Sequence, residues 1–97
     1  MTSLAELKRR ISPIVSKCSS FKIGETSQHP DDRLAQHSGF DYIEAITYSK
    51  YKRDIDYYEA AMIAEFINHP KCMNKKAGSA SRMPTTDYYY LYVVYNK

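Results

Sequence analysis

The stretch FKIGETSQHPDDRLAQH, residues 21–37, joins a short strand to a short helix and so points to a fold that mixes the two. The strand pattern is SFKIGET, in which Gly24 predicts a bend or a close backbone approach. Pro30 suits the first position of the following helix, and the two aspartates after it suit the positively polarised first turn. Arg33 and His37 are one helical turn apart, so we expect their side chains to face the same way.

The residues before this stretch predict an N-terminal helix, because apolar side chains recur there at steps of three and four. Ser3 and Glu6 match the capping box, in which a serine is followed three residues later by a glutamate. Pro13 removes a backbone donor and clashes with the preceding turn. The pattern therefore predicts either one kinked helix or two short helices, with Ser12 capping the second.

The residues after the stretch supply three further elements. They are a strand over residues 40–49, a long amphipathic helix over residues 53–69 and a tyrosine-rich strand over residues 88–95. A loop that is rich in basic residues separates the last two. This order predicts an α+β fold, with a small, mostly antiparallel sheet of three strands flanked by helices.

Length and composition limit the class of protein. The 97 residues predict one domain over residues 1–97, with an N-terminal helical segment at 1–20 and the core at 21–97. The net charge of +3 permits binding to a polyanion without requiring it. Two cysteines are too few for a disulfide framework, and no apolar run approaches the roughly 20 residues of a membrane span. We therefore expect a cytoplasmic protein with no membrane partner.

Glu59 is the residue whose position most needs an explanation. It lies in the middle of the apolar stripe of the long helix, at helical spacing from Ile55, Met62 and Phe66. A carboxylate there is costly unless something pairs with it or binds it. It is either a metal ligand or general base, or else a structural ion pair or a residue on a helix rotated toward solvent. Arg33 is the natural partner, since guanidinium binds both carboxylate and phosphate in a planar, two-pronged way. The alternative is that Arg33 is a solvated residue of a short surface helix, paired with a neighbouring carboxylate.

Two other groups of side chains have both a chemical and a structural interpretation. His37 with Arg33 would hold a phosphate and manage a proton, or it simply ends a helix. HPKC, residues 69–72, offers two zinc ligands where a structural site needs four, so zinc is disfavoured.

The chain contains ten tyrosines, and five of them lie in YYYLYVVY. Strand alternation puts Tyr88, Tyr90 and Tyr92 on one face of this strand. Packing and cross-strand pairing explain most tyrosines in such a strand, and one or two of them are candidates to line a site.

Three segments, taken in order, resemble the GIY-YIG nuclease superfamily. KIGETSQHPDDRLAQH resembles its second motif, in which a strand ending in I-G-x-T leads into a helix with an arginine and often a histidine. YYEAAMIAEF resembles the helix that carries a single glutamate, and HPKCMN resembles the following segment, which ends in an asparagine. The resemblance covers residues 21–74, over half of the chain.

The resemblance implies a divalent-metal-dependent endonuclease that hydrolyses the phosphodiester bonds of DNA, or alternatively of RNA. Glu59 is then the ligand of one Mg²⁺ or Mn²⁺ ion, and Arg33 positions the phosphate. His37 lies in or beside the site, and Asn74 lies near it. Metal-assisted hydrolysis needs a hard oxygen ligand, a cation on the scissile phosphate and a base, and this set of residues is compatible with that need.

The chain also departs from the superfamily. The first motif has no counterpart before residue 21, and Lys22 stands where the Y-I-G element has its tyrosine. We therefore predict that the C-terminal strand takes the position of the missing strand. Tyr88, Tyr90 or Tyr92 would then supply the missing base, and Lys22 would add positive charge toward the phosphate.

We expect the substrate to be bound by Lys22 and by polar or basic residues after the long helix. The latter are Asn74, Lys75, Lys76 and Arg82. Because no DNA-reading module is attached, a second copy of the chain or a partner protein is expected to supply specificity. Two alternatives stay open. One is a catalytically inactive module of the same fold that binds nucleic acid, and the other is a protein-interaction module that uses its tyrosine-rich surface.

Overall fold

A computed structural model describes residues 2–27, 39–75 and 86–97, and it has the predicted α+β architecture. The elements that it describes are α1 (Leu4–Lys17), β1 (Ser20–Thr26), β2 (Tyr42–Ser49), α2 (Lys52–Phe66) and β3 (Tyr89–Asn96). The strands form one antiparallel sheet of three strands, so the predicted fold class is confirmed. The predicted short helix at residues 29–37 lies outside the described residues.

Helix α1 is a single helix that runs through Pro13, which decides between the two alternatives left by the sequence. Ser3 caps it as predicted, because its Oγ accepts a hydrogen bond from the Glu6 N–H at 3.1 Å. Ser12 caps no second helix; its Oγ donates to the Lys8 carbonyl at 2.7 Å. No helix in the described ranges combines the length and the apolar character that crossing a membrane would need.

The C-terminal strand β3 is the central strand of the sheet, with β1 on one side and β2 on the other. Both pairs are antiparallel, and Tyr92 lies opposite Gly24 of β1 and Ala45 of β2. A β-bulge at Ile46 interrupts the pairing of β2 with β3. Because β3 is paired on both sides, this C-terminal strand lies at the centre of the sheet.

The core lies between one face of the sheet, called the inner face below, and the two helices. Alternation along the strands directs Phe21, Ile23, Leu91 and Val93 to this face, where they join the buried side chains of α1 and α2. The opposite, outer face of β3 carries Tyr92 and Val94, which are buried as well. Both faces of the central strand are therefore buried, as expected for a strand this rich in aromatic and branched residues.

Helix α2 ends at Phe66, three residues earlier than the sequence pattern predicts, and a turn follows it. The chain then runs beside the outer edge of β1, the edge that faces away from β3. The Phe21 N–H donates to the Lys71 carbonyl at 3.0 Å, and the Met73 N–H donates to the Phe21 carbonyl at 2.8 Å. This short parallel contact places residues 71–73 beside β1.

Candidate active site

The side chain of an asparagine hydrogen-bonds to the backbone at the outer edge of β1. The Ile23 N–H donates to Asn74 Oδ1, and Asn74 Nδ2 donates to the Ile23 carbonyl, both at 2.9 Å. The amide thus replaces the pair of backbone bonds that a neighbouring strand would make. Since both ends of the amide are used, the role that the structure shows for Asn74 is to hold the chain against β1.

Glu59 engages the next outward-facing amide of the same strand. Its carboxylate accepts a hydrogen bond from the backbone N–H of Glu25. Residues 21, 23 and 25 point their backbone groups the same way because strand geometry repeats every two residues. The side chain of Glu59 is only 8% exposed, so the interpretation of a helix rotated to solvent is wrong. The position on the apolar stripe instead directs this carboxylate to the junction of α2 with β1.

The charges around Glu59 leave its carboxylate poorly compensated. Burial, assisted by the negative charge of Asp56, raises the pKa of Glu59 from 4.5 to about 7. The Glu25 N–H and the positive charges of Lys52 and Lys22 act in the opposite direction and do not offset burial. Lys52 Nζ is already bound to both carboxylate oxygens of Asp56 at 2.9 Å. Near neutral pH, Glu59 is therefore a mixture of acid and carboxylate that a bound cation would convert to the carboxylate.

Tyr92 covers the other side of this part of β1. A Cβ atom added at Gly24 would overlap Cζ and Oη of the Tyr92 ring, so the close approach at Gly24 is made by a side chain and not by the backbone that the sequence predicts. Gly24 precedes Glu25, whose amide binds Glu59, so Tyr92 and Glu59 contact consecutive residues of the same strand. Lys22 lies on the outer face with Tyr92, two residues before Gly24. We call the group formed by Lys22, Gly24, Glu59 and Tyr92 the β1 edge site.

The remaining two candidate tyrosines contact β2. The ring centroid of Tyr88 lies 5.6 Å from that of Tyr48, and the centroid of Tyr90 lies 6.5 Å from it. Tyr90 pairs with Thr26, which is the next residue of β1 after Gly24 that faces outward. Tyr88 lies just before the start of β3. Of the three tyrosines, Tyr92 is the one that the structure brings over Gly24.

Of the other predicted site residues, the structure describes one. Lys75 is exposed directly after Asn74. Four predicted residues lie outside the described residues: Arg33, His37, Lys76 and Arg82.

The described residues offer few side-chain ligands for a metal. Within residues 2–27, 39–75 and 86–97, no group of three or more His, Cys, Asp and Glu side chains is arranged to hold a metal ion. Zinc at HPKC gains no support, because His69 Nδ1 accepts the Lys71 N–H at 3.1 Å and the Cys72 thiol contacts Asn74 Oδ1 at 3.5 Å. A cation at Glu59 would take most of its ligands from water and substrate.

Sequence reasoning missed Lys52 and Asp56 as neighbours of Glu59. A signal was present in the spacing, since Lys52 and Asp56 are four residues apart and Asp56 is three residues before Glu59. That spacing puts all three on adjacent positions of one helix face. What the spacing does not give is the burial of Glu59, which makes the charges of Lys52 and Asp56 act more strongly on its carboxylate.

Comparisons with known proteins add no identification: no protein-family model, no curated protein and no solved structure matches this chain. Its resemblance to the GIY-YIG superfamily therefore remains a hypothesis that rests on the short motifs.

Proposed function

We propose that this protein is a divalent-metal-dependent endonuclease that hydrolyses phosphodiester bonds of DNA, with RNA as the second choice of substrate. The observation that carries the proposal is the buried carboxylate of Glu59, whose pKa is raised to about 7 at the outer edge of β1. A carboxylate held in this way favours a cation, and perturbed acids of this kind concentrate at functional sites.

The donor set fits Mg²⁺ or Mn²⁺ better than it fits a softer metal. Mg²⁺ binds through one or two carboxylates and keeps several waters or substrate phosphate oxygens in its shell. Glu59 would supply the carboxylate, and Asp56, on the same helix face, is bound through both oxygens to Lys52. A bound divalent cation would neutralise charge on the scissile phosphate and lower the pKa of a bound water.

The other residues of the β1 edge site have distinct roles in this proposal. Lys22, whose charge already acts on Glu59, would face a phosphate oxygen. The hydroxyl of Tyr92 would orient the attacking water or accept its proton, the role that the resemblance implies for one of three tyrosines of the C-terminal strand. Arg33 is proposed as the phosphate clamp and His37 as a proton carrier. Lys75, Lys76 and Arg82 would contact the nucleic-acid backbone.

The first test is cleavage of plasmid DNA and of a structured RNA by the purified chain, with Mg²⁺ or Mn²⁺ and then with EDTA. Glu59→Gln is the decisive variant, because glutamine can still accept the Glu25 N–H and carries no charge. Glu65→Gln is its control, since Glu65 lies on the same helix but is exposed and pairs with Lys8. We expect metal-dependent cleavage that Glu59→Gln abolishes and Glu65→Gln leaves intact. Equal activity of all three proteins would exclude Glu59 as the metal ligand.

The second test assigns the base. Tyr92→Phe is compared with Tyr88→Phe and Tyr90→Phe, each of which removes one hydroxyl and keeps the ring. We expect Tyr92→Phe to lower the cleavage rate by about 100-fold, the lower end of what general-base help contributes, and the other two to have small effects. If none of the three lowers the rate, the tyrosine of the C-terminal strand is not the base.

A catalytically inactive nucleic-acid-binding module is the second candidate function, and one observation favours it. The Glu59 carboxylate already accepts the Glu25 N–H, so it has a structural role at the strand edge that needs no metal. This candidate predicts that wild type and Glu59→Gln bind DNA equally and that neither cleaves with any metal. Loss of DNA binding at low salt, where electrostatic attraction is strongest, would argue against both functions.

A further inference from the structure

A cavity of about 560 Å³ lies on the helix side of the sheet, between α1, the end of β2 and the start of α2. Its volume is within the range of pockets that hold small ligands. The side chains that carry the argument below are Arg10, Thr47, Ser49, Asp54 and Tyr58. Thr47 and Ser49 share the inner face of β2, and Asp54 and Tyr58 are one turn apart on α2. None of these residues belongs to the β1 edge site.

Arg10 brings a positive charge to the cavity from α1. Its Nη1 donates to the Ile46 carbonyl at 2.9 Å, which holds the guanidinium at the β-bulge, and its Nε donates to Glu6 at 3.3 Å. A guanidinium has five N–H donors, so these two bonds leave three unused. Glu6 also pairs with Arg9, so two arginines share its single negative charge. Arg10 therefore keeps both charge and donors for an anionic group.

Asp54 brings a negative charge to the same cavity from the first turn of α2. Its Oδ2 accepts the Ser49 hydroxyl at 2.8 Å, and the Ser49 Oγ accepts the Tyr51 N–H at 3.1 Å. These bonds orient the carboxylate and leave its Oδ1 without a hydrogen bond to a described residue. Within the described ranges, no ion pair joins Asp54 to Arg10. The cavity thus presents two opposite charges that do not contact each other.

The hydroxyl of Tyr58 is an independent feature that points to a ligand. Tyr58 is only 3% exposed and lines the cavity, and its hydroxyl makes no hydrogen bond to the part of the chain that the structure describes. A buried phenol hydroxyl usually has a partner, because burying it without one is costly. On another wall, Thr2 and Thr47 are hydrogen-bonded to each other at 3.0 Å, and two hydroxyls joined by one bond retain one donor.

These groups together argue against several classes of ligand. The carboxylate of Asp54 would repel a phosphate, and Arg10 and the exposed Lys50 would repel a metal ion. A purely apolar molecule would leave both charges and the Tyr58 hydroxyl without partners. A small molecule that carries one anionic and one cationic group satisfies both charges at once.

From these contacts we infer that the cavity binds a small polar α-amino acid, with its carboxylate on Arg10 and its ammonium group on Asp54. The hydroxyls of Tyr58 and of the pair formed by Thr2 and Thr47 are available to a polar side chain of this ligand. The inference goes beyond the proposed nuclease and does not require cleavage at Glu59, since the two sites share no residue.

The test is calorimetric titration of the full chain with L-serine in EDTA, with NMR shifts of the cavity amides as a second readout. Two analogues each remove one charge: 3-hydroxypropionate lacks the ammonium group, and ethanolamine lacks the carboxylate. We expect each analogue to bind at least about tenfold more weakly than L-serine, because each loses one charge-assisted contact. Equal binding of L-serine and either analogue would overturn the inference, since the cavity would not recognise both charges.

Asp54→Asn removes the negative charge and keeps an acceptor for the Ser49 hydroxyl. Its control is Asp41→Asn, because Asp41 is exposed and does not line the cavity. We expect Asp54→Asn to weaken binding of L-serine about tenfold and not to weaken binding of 3-hydroxypropionate, which has no ammonium group to lose. Asp41→Asn should leave binding of both molecules unchanged.

Tyr58→Phe removes only the hydroxyl and keeps the buried ring, so it tests the same cavity with little risk to the fold. Its control is Tyr57→Phe, which removes the hydroxyl of an exposed tyrosine outside the cavity. We expect Tyr58→Phe to weaken binding of L-serine several-fold and Tyr57→Phe to have no effect. Glu59→Gln should bind L-serine as wild type does, so failure of the nuclease proposal would not be mistaken for failure of this one. If L-serine does not bind the wild type at millimolar concentration, or if each variant behaves like its control, the inference is wrong.

Discussion

The phenol ring of Tyr92 lies over Gly24, directly opposite it across the β1–β3 pair, and occupies the space that a Cβ atom would need. The contact joins the end of the chain to the strand whose edge binds Glu59. Tyr92 can lie over β1 at this position because Gly24 has no side chain. A glycine at this position is therefore required by packing rather than by backbone conformation, since its φ is not positive.

Gly24→Ala should lower the free energy of unfolding by about 1–3 kcal/mol, the usual effect of overpacking a filled site. The backbone accepts alanine, so in the absence of Tyr92 the same change should be neutral or slightly stabilising. Urea unfolding of the two single variants and of Gly24→Ala with Tyr92→Leu measures this coupling. An equal effect of Gly24→Ala in both backgrounds would contradict the packing argument.

Glu59→Gln should change how stability depends on pH. Because the folded-state pKa of Glu59 is raised from 4.5 to about 7, the folded protein holds a proton that the unfolded chain has released in this interval. Stability therefore falls as pH rises from 4.5 to 7, by up to about 3 kcal/mol for this shift, and stays lower above it. The variant has no such loss, so it should match wild type near pH 4.5 and be more stable at pH 8.

Unfolding in EDTA at several pH values measures the difference, and Glu65→Gln should change stability by no more than about 1 kcal/mol at any pH, because its ion pair with Lys8 is exposed. Adding Mg²⁺ at pH 8 should then stabilise wild type and not Glu59→Gln, since only a ligand that binds the folded state raises its stability. Equal stabilisation of both proteins would place the cation elsewhere.

Asn74→Ala should destabilise the protein by about 1–3 kcal/mol, because it leaves the outward N–H and carbonyl of Ile23 without the amide that closes the edge of β1. Hydrogen exchange of the Ile23 amide should become faster in the same variant. Asn68→Ala removes an exposed asparagine near the end of α2 and should do neither. Unchanged exchange at Ile23 in Asn74→Ala would show that the amide does not hold this edge.

Arg10→Met keeps the apolar stem and removes the bond to the Ile46 carbonyl, so we expect a loss of about 1 kcal/mol. The matched variant Arg9→Met removes a more exposed arginine from the neighbouring position and should change stability by less than about 0.5 kcal/mol. Thermal unfolding compares the two. A larger loss for Arg9→Met would mean that the bulge in β2 does not depend on Arg10.

Local patterns were sufficient for much of the architecture. The apolar spacing and Ser3 predict α1, and SFKIGET and the tyrosine-rich run predict β1 and β3 to within a residue. The place of Glu59 on the stripe of α2 leaves burial and a helix rotated toward solvent as alternatives, and the structure decides for burial. The sequence pattern places the end of α2 too late, because Pro70 marks where a helix cannot continue, whereas the helix already ends at Phe66 and a turn follows.

Sequence by itself determined which segments are helices and strands and which face each of them buries, because these depend on neighbours a few residues apart. It also indicated that Glu59 needs a partner and that Gly24 admits a close neighbour. Only the tertiary structure decided what those partners are: the Glu25 amide for Glu59, Tyr92 for Gly24 and Ile23 for Asn74. These contacts join residues 34 to 68 positions apart, and their geometry depends on the strand order β1–β3–β2 and on its register, neither of which any local pattern encodes.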